Sequence, residues 1–288
     1  MLSSIPQKIQ NKVAKIPSEA SYKVSLLKHA PKLPELSQFE RRIVETCNKE
    51  GVFVTSLKEL GLSSTSQLIE AAKSQLEVMK TLLPPERVDR STMSSDAPST
   101  YPQIFTVTDL PEFYSWGSEE RLLNIAENFI GLPVGFQGVH LRRDFANNNP
   151  VTTEFWHQDL EDRRILKIFV YMSDVSRENG PFEYIPKYNI SPILSWRINQ
   201  KMAKANALGI TDRDLETIVP RSAWKSCPGP AGTVIFADTK GTFHHGQSRQ
   251  KERAALFFVY TAKEPLHPEY CTQYSDKTFA RPDFSSMS

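Results

Sequence analysis

Two side chains of metal-ligand type stand two positions apart, His157 and Asp159, at the head of a β-prone region. That region closes beyond a histidine pair, His244-His245. On an extended strand end, His157 and Asp159 leave the backbone on the same face. A later histidine can join them only if the chain between brings its ends together. Residues 165–172 are a strongly β-prone run, and a polar turn ending in Asn179-Gly180-Pro181 leads to a second short strand over 182–186. Residues 231–238 read as turn, strand, turn, and 254–260 as another strand. A ligand pair at the start of such a region and a third ligand near its end require a rolled-up sheet.

Two imidazoles and one carboxylate on one face of a metal leave the opposite coordination positions open, which is the ligand set of non-heme Fe(II) oxygenases. Neighbouring strand residues face opposite sides, so only one of His244 and His245 can reach the metal. Each candidate has a plainer reading. His157 could be a half-buried, hydrogen-bonded histidine after Trp156, and Asp159 a turn-capping carboxylate; the two stand or fall together. Glu161 and Asp162 read as solvated, or as partners of Arg163 and Arg164.

The stretch from about Val134 to Tyr260 resembles the phytanoyl-CoA dioxygenase family of Fe(II)- and 2-oxoglutarate-dependent oxygenases. The resemblance rests on Trp156-His157-Gln158-Asp159, the strand and turn from Lys167 to Asp174, and Gly180-Pro181-Phe182-Glu183-Tyr184-Ile185-Pro186. It continues through Gly232-Thr233-Val234-Ile235-Phe236-Ala237-Asp238 and Phe243-His244-His245-Gly246 to Arg253. It implies an α+β fold with a double-stranded β-helix (jelly-roll, cupin-like) core flanked by helices. It implies Fe(II) held by His157, Asp159 and His244, with 2-oxoglutarate and O2 as co-substrates. The family places its ligand after an apolar residue and two positions before a glycine, which selects His244 over His245. Arg253, at the head of the last strand, is then the residue to grip the distal carboxylate of 2-oxoglutarate, which a guanidinium does bidentately. A salt bridge with Glu252 is its plainer role, and Arg249, in a polar turn, is the competing anchor. On the strand over 134–142, Gln137 and His140 are candidates to hydrogen-bond the co-substrate and Arg142 to meet the substrate; an outer-face position explains them as readily.

The expected reaction is hydroxylation of a C–H bond in a small polar metabolite or natural-product intermediate. Arg142, Arg143, Arg163 and Arg164 are available to attract a carboxylate or phosphate, and an acyl-CoA is the second substrate class. A cupin-type metalloenzyme without an oxoacid, or a non-catalytic binding module, would use the same fold. With 35 Lys plus Arg against 33 Asp plus Glu, no basic footprint marks a nucleic-acid partner. No apolar run is long enough for a membrane span. Three cysteines at unrelated spacings argue against a disulfide framework, so a cytoplasmic location is expected. The sequence carries no sign of an oligomeric state.

The 288 residues suit one catalytic domain: a mainly helical part over 1–130, the β-helix core over 131–265 and a tail over 266–288. Residues 1–36 read as a polar arm wrapping the body. Helices are expected over 38–49, over 65–83 and from Ser118 to near Gly131, with a short strand over 52–54. Residues 87–103 gather Ser, Thr, Pro and Asp and read as a loop or lid.

Overall fold

Ser37 starts the first long helix by a reciprocal cap. Its hydroxyl accepts from the Glu40 amide at 3.3 Å, and the Glu40 carboxylate accepts from the Ser37 amide at 2.9 Å. The computed structural model describes residues 19–81, 101–107, 110–146, 154–204, 209–247, 249–271 and 279–280. Helix α1 covers 19–29, and α2, Gln38–Lys49, buries Ile43, Val44 and Cys47 on one stripe. Then follow β1 (Val52–Ser56), α3 (Leu57–Leu60), α4 (Thr65–Thr81), β2 (Tyr101–Val107), α5 (Pro111–Gly117) and α6 (Glu120–Ile130). Gly131 ends α6 at φ +80, where a left-handed residue can close the last turn. The remaining elements are β3 (Val134–Asp144), β4 (Leu166–Tyr171), β5 (Phe182–Tyr184), α7 (Pro192–Lys204), α8 (Asp212–Glu216) and β6 (Lys225–Cys227). After them come β7 (Thr233–Asp238), β8 (His244–Gly246), β9 (Arg253–Ala262), α9 (Pro268–Cys271) and β10 (Phe279–Ala280).

The major sheet has the order β1-β7-β4-β9-β3-β2-β10, and the minor sheet β6-β5-β8. Every residue of β4 and β7 is buried because both faces of the major sheet are covered. Alternation divides each strand between two cores. Leu166, Ile168, Val170, Leu256, Phe258 and Tyr260 pack against the helices. Phe169, Tyr171, Ala255 and Phe257 turn instead toward the minor sheet, where Phe182, Tyr184 and Cys227 meet them. Each fully buried side chain of this size contributes roughly 1.5–3 kcal/mol. A third cluster, including Trp156, Ile185, Ile198, Leu215 and Phe243, sits under α7 and α8 on the far side of the minor sheet. The facing sheets are the two halves of a jelly roll, so the α+β expectation holds.

Several expectations change. The arm is helical from residue 19, and His29 bonds Glu127 on α6 at 2.8 Å; residues 1–18 lie outside the described residues. The end of the expected lid, 101–103, belongs to β2, while 87–100 lie outside the described residues. Pro102 is compatible with a strand because the antiparallel rungs with β3 begin only at Ile104. The sheet also draws β1 and β2 from the part expected to be mainly helical. No helix among the described residues is long and apolar enough to cross a membrane.

Candidate metal centre

His157 and His244 exchange backbone hydrogen bonds at 3.0 Å each way, an isolated antiparallel bridge that extends the minor sheet by one rung. Their rings lie 4.4 Å apart. Asp159 is held from behind, its amide donating to Thr239 O at 3.0 Å. Its Oδ1 is 3.6 Å from His157 Nε2 and its Oδ2 is 3.9 Å from His244 Nε2. One ligand atom from each residue lies within 4.8 Å of the other two, so the three can share one metal ion.

The orientation of both imidazoles is set by carbonyl oxygens. His157 Nδ1 lies 2.7 Å from Phe155 O, and His244 Nδ1 lies 3.2 Å from Thr242 O. A carbonyl only accepts, so Nδ1 carries the proton and donates, and the Nε2 lone pair points at the shared position. Burial, followed by the nearby His157, pushes His244 down to about 3, so it is neutral at neutral pH. Burial raises the Asp159 pKa, but the Lys167 ammonium beside it holds this carboxyl well below its usual range. Neutral imidazole and ionised carboxylate are the states a metal requires.

His245 faces the other way. Its ring stacks on Trp156 at 4.0 Å, with Nδ1 2.9 Å from Glu154 O and Nε2 3.0 Å from Glu183 Oε2.

Deeper between the sheets, β3 and β9 pair Asp144 with Arg253 and Arg142 with Ala255, so both arginines share the inner face. Arg253 donates to Asp144 Oδ2 from Nη2 at 2.6 Å and Nε at 3.1 Å, and from Nη1 to Gly180 O. Arg142 meets Asp144 Oδ1 from Nε at 3.1 Å and Nη2 at 3.0 Å, its guanidinium over Phe257. Burial works against the charge on Asp144, but Arg142, Arg249 and Arg253 hold its carboxyl well below the ordinary range. His140 is buried and stacked on the same Phe257 ring at 4.8 Å. His140, Arg142, Arg253, Phe169, Phe182 and Phe257 line one cavity with the three ligand-type residues.

The structure does not bring Gln137 into this group. Its amide donates to Thr261 Oγ1 at 2.7 Å, four residues along β9 from Phe257, or about 13 Å of strand. The expected arginine cluster also disperses: Arg143 pairs with Glu252, Arg163 with Glu19, and Arg164 lies over Phe129, leaving Arg142 facing the cavity. Sequence reasoning passed over Lys167, whose Nζ is 2.7 Å from Asp159 Oδ2 and 3.0 Å from Glu161 Oε1. A single charge inside the apolar run of β4 was the available signal. It also passed over Asp144, for which only its place at a strand end two residues beyond Arg142 gave a hint.

Gly180 ties this region together at φ +66. A Cβ there would stand 2.2 Å from Gln247 O, a clash with backbone. Gly180→Ala should destabilise the protein by roughly 1–3 kcal/mol in urea unfolding, combining a left-handed non-glycine residue with that clash.

A family model described as Phytanoyl-CoA dioxygenase (PhyH) matches residues 67–250. No curated protein matches by sequence. Among solved structures, HygX from Streptomyces hygroscopicus with nickel, 2-oxoglutarate and hygromycin B bound superposes with a TM-score of 0.51 at 16% identity, over 79% of this chain and 88% of that one. HygX with iron bound gives 0.50 at 16% identity, covering 80% and 88%. EctD from S. alaskensis, in its apoform, gives 0.50 at 19% identity, covering 86% and 82%. At these identities the likeness establishes a shared fold.

Proposed function

This chain belongs to the phytanoyl-CoA dioxygenase (PhyH) family, and on that premise we propose that His157, Asp159 and His244 hold Fe(II) in an oxygenase dependent on 2-oxoglutarate. The observation that carries the reading is the convergence of three ligand atoms within 4.8 Å, with both imidazole Nδ1 atoms committed to backbone carbonyls. Ferrous iron, 2-oxoglutarate and O2 together supply an oxidant able to remove hydrogen from an unactivated C–H bond, 2-oxoglutarate leaving as succinate and CO2.

The chain's own residues bind, aim and shield. Arg253, positioned by Asp144 and by the Gly180 carbonyl, receives the distal carboxylate of the oxoacid. Lys167 holds the Asp159 carboxylate at Oδ2, while Thr239 O takes its backbone amide. Phe169, Phe182 and Phe257 form an aromatic wall that keeps water from the reacting centre. His140, on the same wall, borders the co-substrate. Arg142 faces the cavity from β3 and meets a polar group of the substrate, a small polar metabolite or natural-product intermediate. With Asp159 in the third ligand position no place is left for a halide, which favours hydroxylation over halogenation and leaves desaturation and ring formation as alternatives. Three cysteines at unrelated spacings, Cys47, Cys227 and Cys271, fit a reducing, cytoplasmic setting.

Anaerobic addition of Fe(II) and then 2-oxoglutarate should produce a visible metal-to-oxoacid charge-transfer band, with succinate formed on admission of air. Metal uptake with no band would instead assign the chain to cupin-type chemistry without an oxoacid. Failure to bind metal at all would leave a binding module.

A further inference from the structure

Arg249 is among the largest fully buried side chains, yet it has one carboxylate partner, Glu154 Oε1, at 2.9 Å from Nη2. Its Nε and Nη1 have no hydrogen-bond acceptor among the described residues. A buried guanidinium carries five N–H donors, and leaving several unpaired is costly. The position is held by backbone on both sides. Gln250 and Lys251 amides donate to Glu178 O at 2.8 and 2.9 Å, and the Gln247 amide to Pro181 O at 3.3 Å.

The same loop brings Arg249 beside Arg253. A Cβ on Gly246 would stand 3.3 and 3.6 Å from Nη2 and Nη1 of Arg253 and 3.9 Å from Nη2 of Arg249. The two guanidinium ends therefore flank one point on the cavity wall. Charge points the same way. Among the described residues, Arg142, Arg249 and Arg253 are buried with two carboxylates, Asp144 and Glu154, one positive charge in excess. Low dielectric makes such an excess unfavourable until an anion arrives.

We propose that Arg249 is the second half of a two-guanidinium clamp, with Arg253, on the distal carboxylate of the oxoacid co-substrate. The inference rests on the oxygenase reading and extends it to a residue in what reads, in sequence, as a solvated turn. Glu154 positions Arg249. Because Glu154 lies three residues before His157, the pair also ties the ligand-bearing segment to the carboxylate end of the site.

The test is the dissociation constant of the Fe(II)-loaded protein for two oxoacids, read anaerobically from the charge-transfer band. One is 2-oxoglutarate; the other is 2-oxovalerate, which keeps the chelating end and carries a methyl group in place of the distal carboxylate. Arg249→Met should weaken 2-oxoglutarate about 10- to 100-fold, the loss expected for a charge-assisted hydrogen-bonding partner, with 2-oxovalerate and Fe(II) within about twofold. Should Arg249→Met fail to fold because Glu154 is left buried without its guanidinium, Arg249→Met combined with Glu154→Gln removes both charges and should show the same selective loss. Equal weakening of both oxoacids, or of neither, overturns the clamp and leaves Arg249 a structural ion pair. A wild-type protein that binds Fe(II) but gives no band with either oxoacid overturns the oxygenase reading itself, and the clamp with it.

Discussion

His244→Ala is expected to lower Fe(II) affinity by more than the about 10- to 100-fold typical for losing a partner one shell out from a metal, and to abolish oxoacid turnover. His245→Ala should leave iron affinity within about 10-fold, the effect of a distant neighbour rather than a ligand. The two residues are adjacent, and strand geometry sends them to opposite sides of the minor sheet. His244 Nε2 looks toward Asp159 Oδ2, whereas both nitrogens of His245 are engaged, by Glu154 O and by Glu183. What His245→Ala costs is stability. Glu183 loses its partner and Trp156 loses the ring stacked on it, which together should amount to about 1–3 kcal/mol. Chelator competition for iron, run beside urea unfolding of each variant, separates the effects. Iron loss on replacing His245, with retention on replacing His244, would reverse the assignment of the pair.

That choice shows where sequence reading runs out. The residue types of the centre, and the sheet that brings His157 and His244 to one bridge, were legible because β-prone runs and turn residues lie between them in the right order. Helices α2, α4 and α6 were legible from their apolar stripes and stops, such as Gly131 at the end of α6. Facing was harder, because it depends on register. The strand pair β3–β9 shifts register between Phe136 and Gly138, and Gln137 ends up toward Thr261 rather than the cavity. Charge pairing was hardest. Arg249 sits in a run of Gln, Ser, Arg, Gln and Lys that reads as solvent-exposed, and only the zipping of that loop onto 178–181 turns it inward. Lys167 and Asp144 became visible as participants only when the structure placed Lys167 against Asp159 and Glu161 and Asp144 against Arg253 on β9. Helix α7 escaped notice because its stripe is broken by exposed Ile193 and Trp196, with Ile198 its one fully buried residue.

Asp144→Ala should be the most destabilising single change near the site, at about 3–5 kcal/mol, because it leaves two buried guanidinium groups facing each other without their shared counter-charge. Asp144 is fully buried and spans Arg142 and Arg253 with its two oxygens. Asp144→Asn keeps the shape and one acceptor oxygen but not the charge, so it isolates the electrostatic part. The pH dependence gives the sign. The folded carboxyl is depressed well below the unfolded value near 3.9, so its contribution is complete above about pH 4 and is lost as pH falls from there toward the folded value. Urea unfolding of wild type and Asp144→Asn should therefore differ most near neutral pH, and the gap should narrow progressively below about pH 4. A gap that stays constant through the acid range would mean that the Asp144 charge is not what stabilises the pair of arginines. Asp144→Ala should also loosen Arg253, which then keeps only the Gly180 carbonyl as a fixed acceptor. Stability and oxoacid affinity are thus predicted to fall together at Asp144, whereas the signature predicted for Arg249→Met is loss of 2-oxoglutarate affinity with 2-oxovalerate affinity retained.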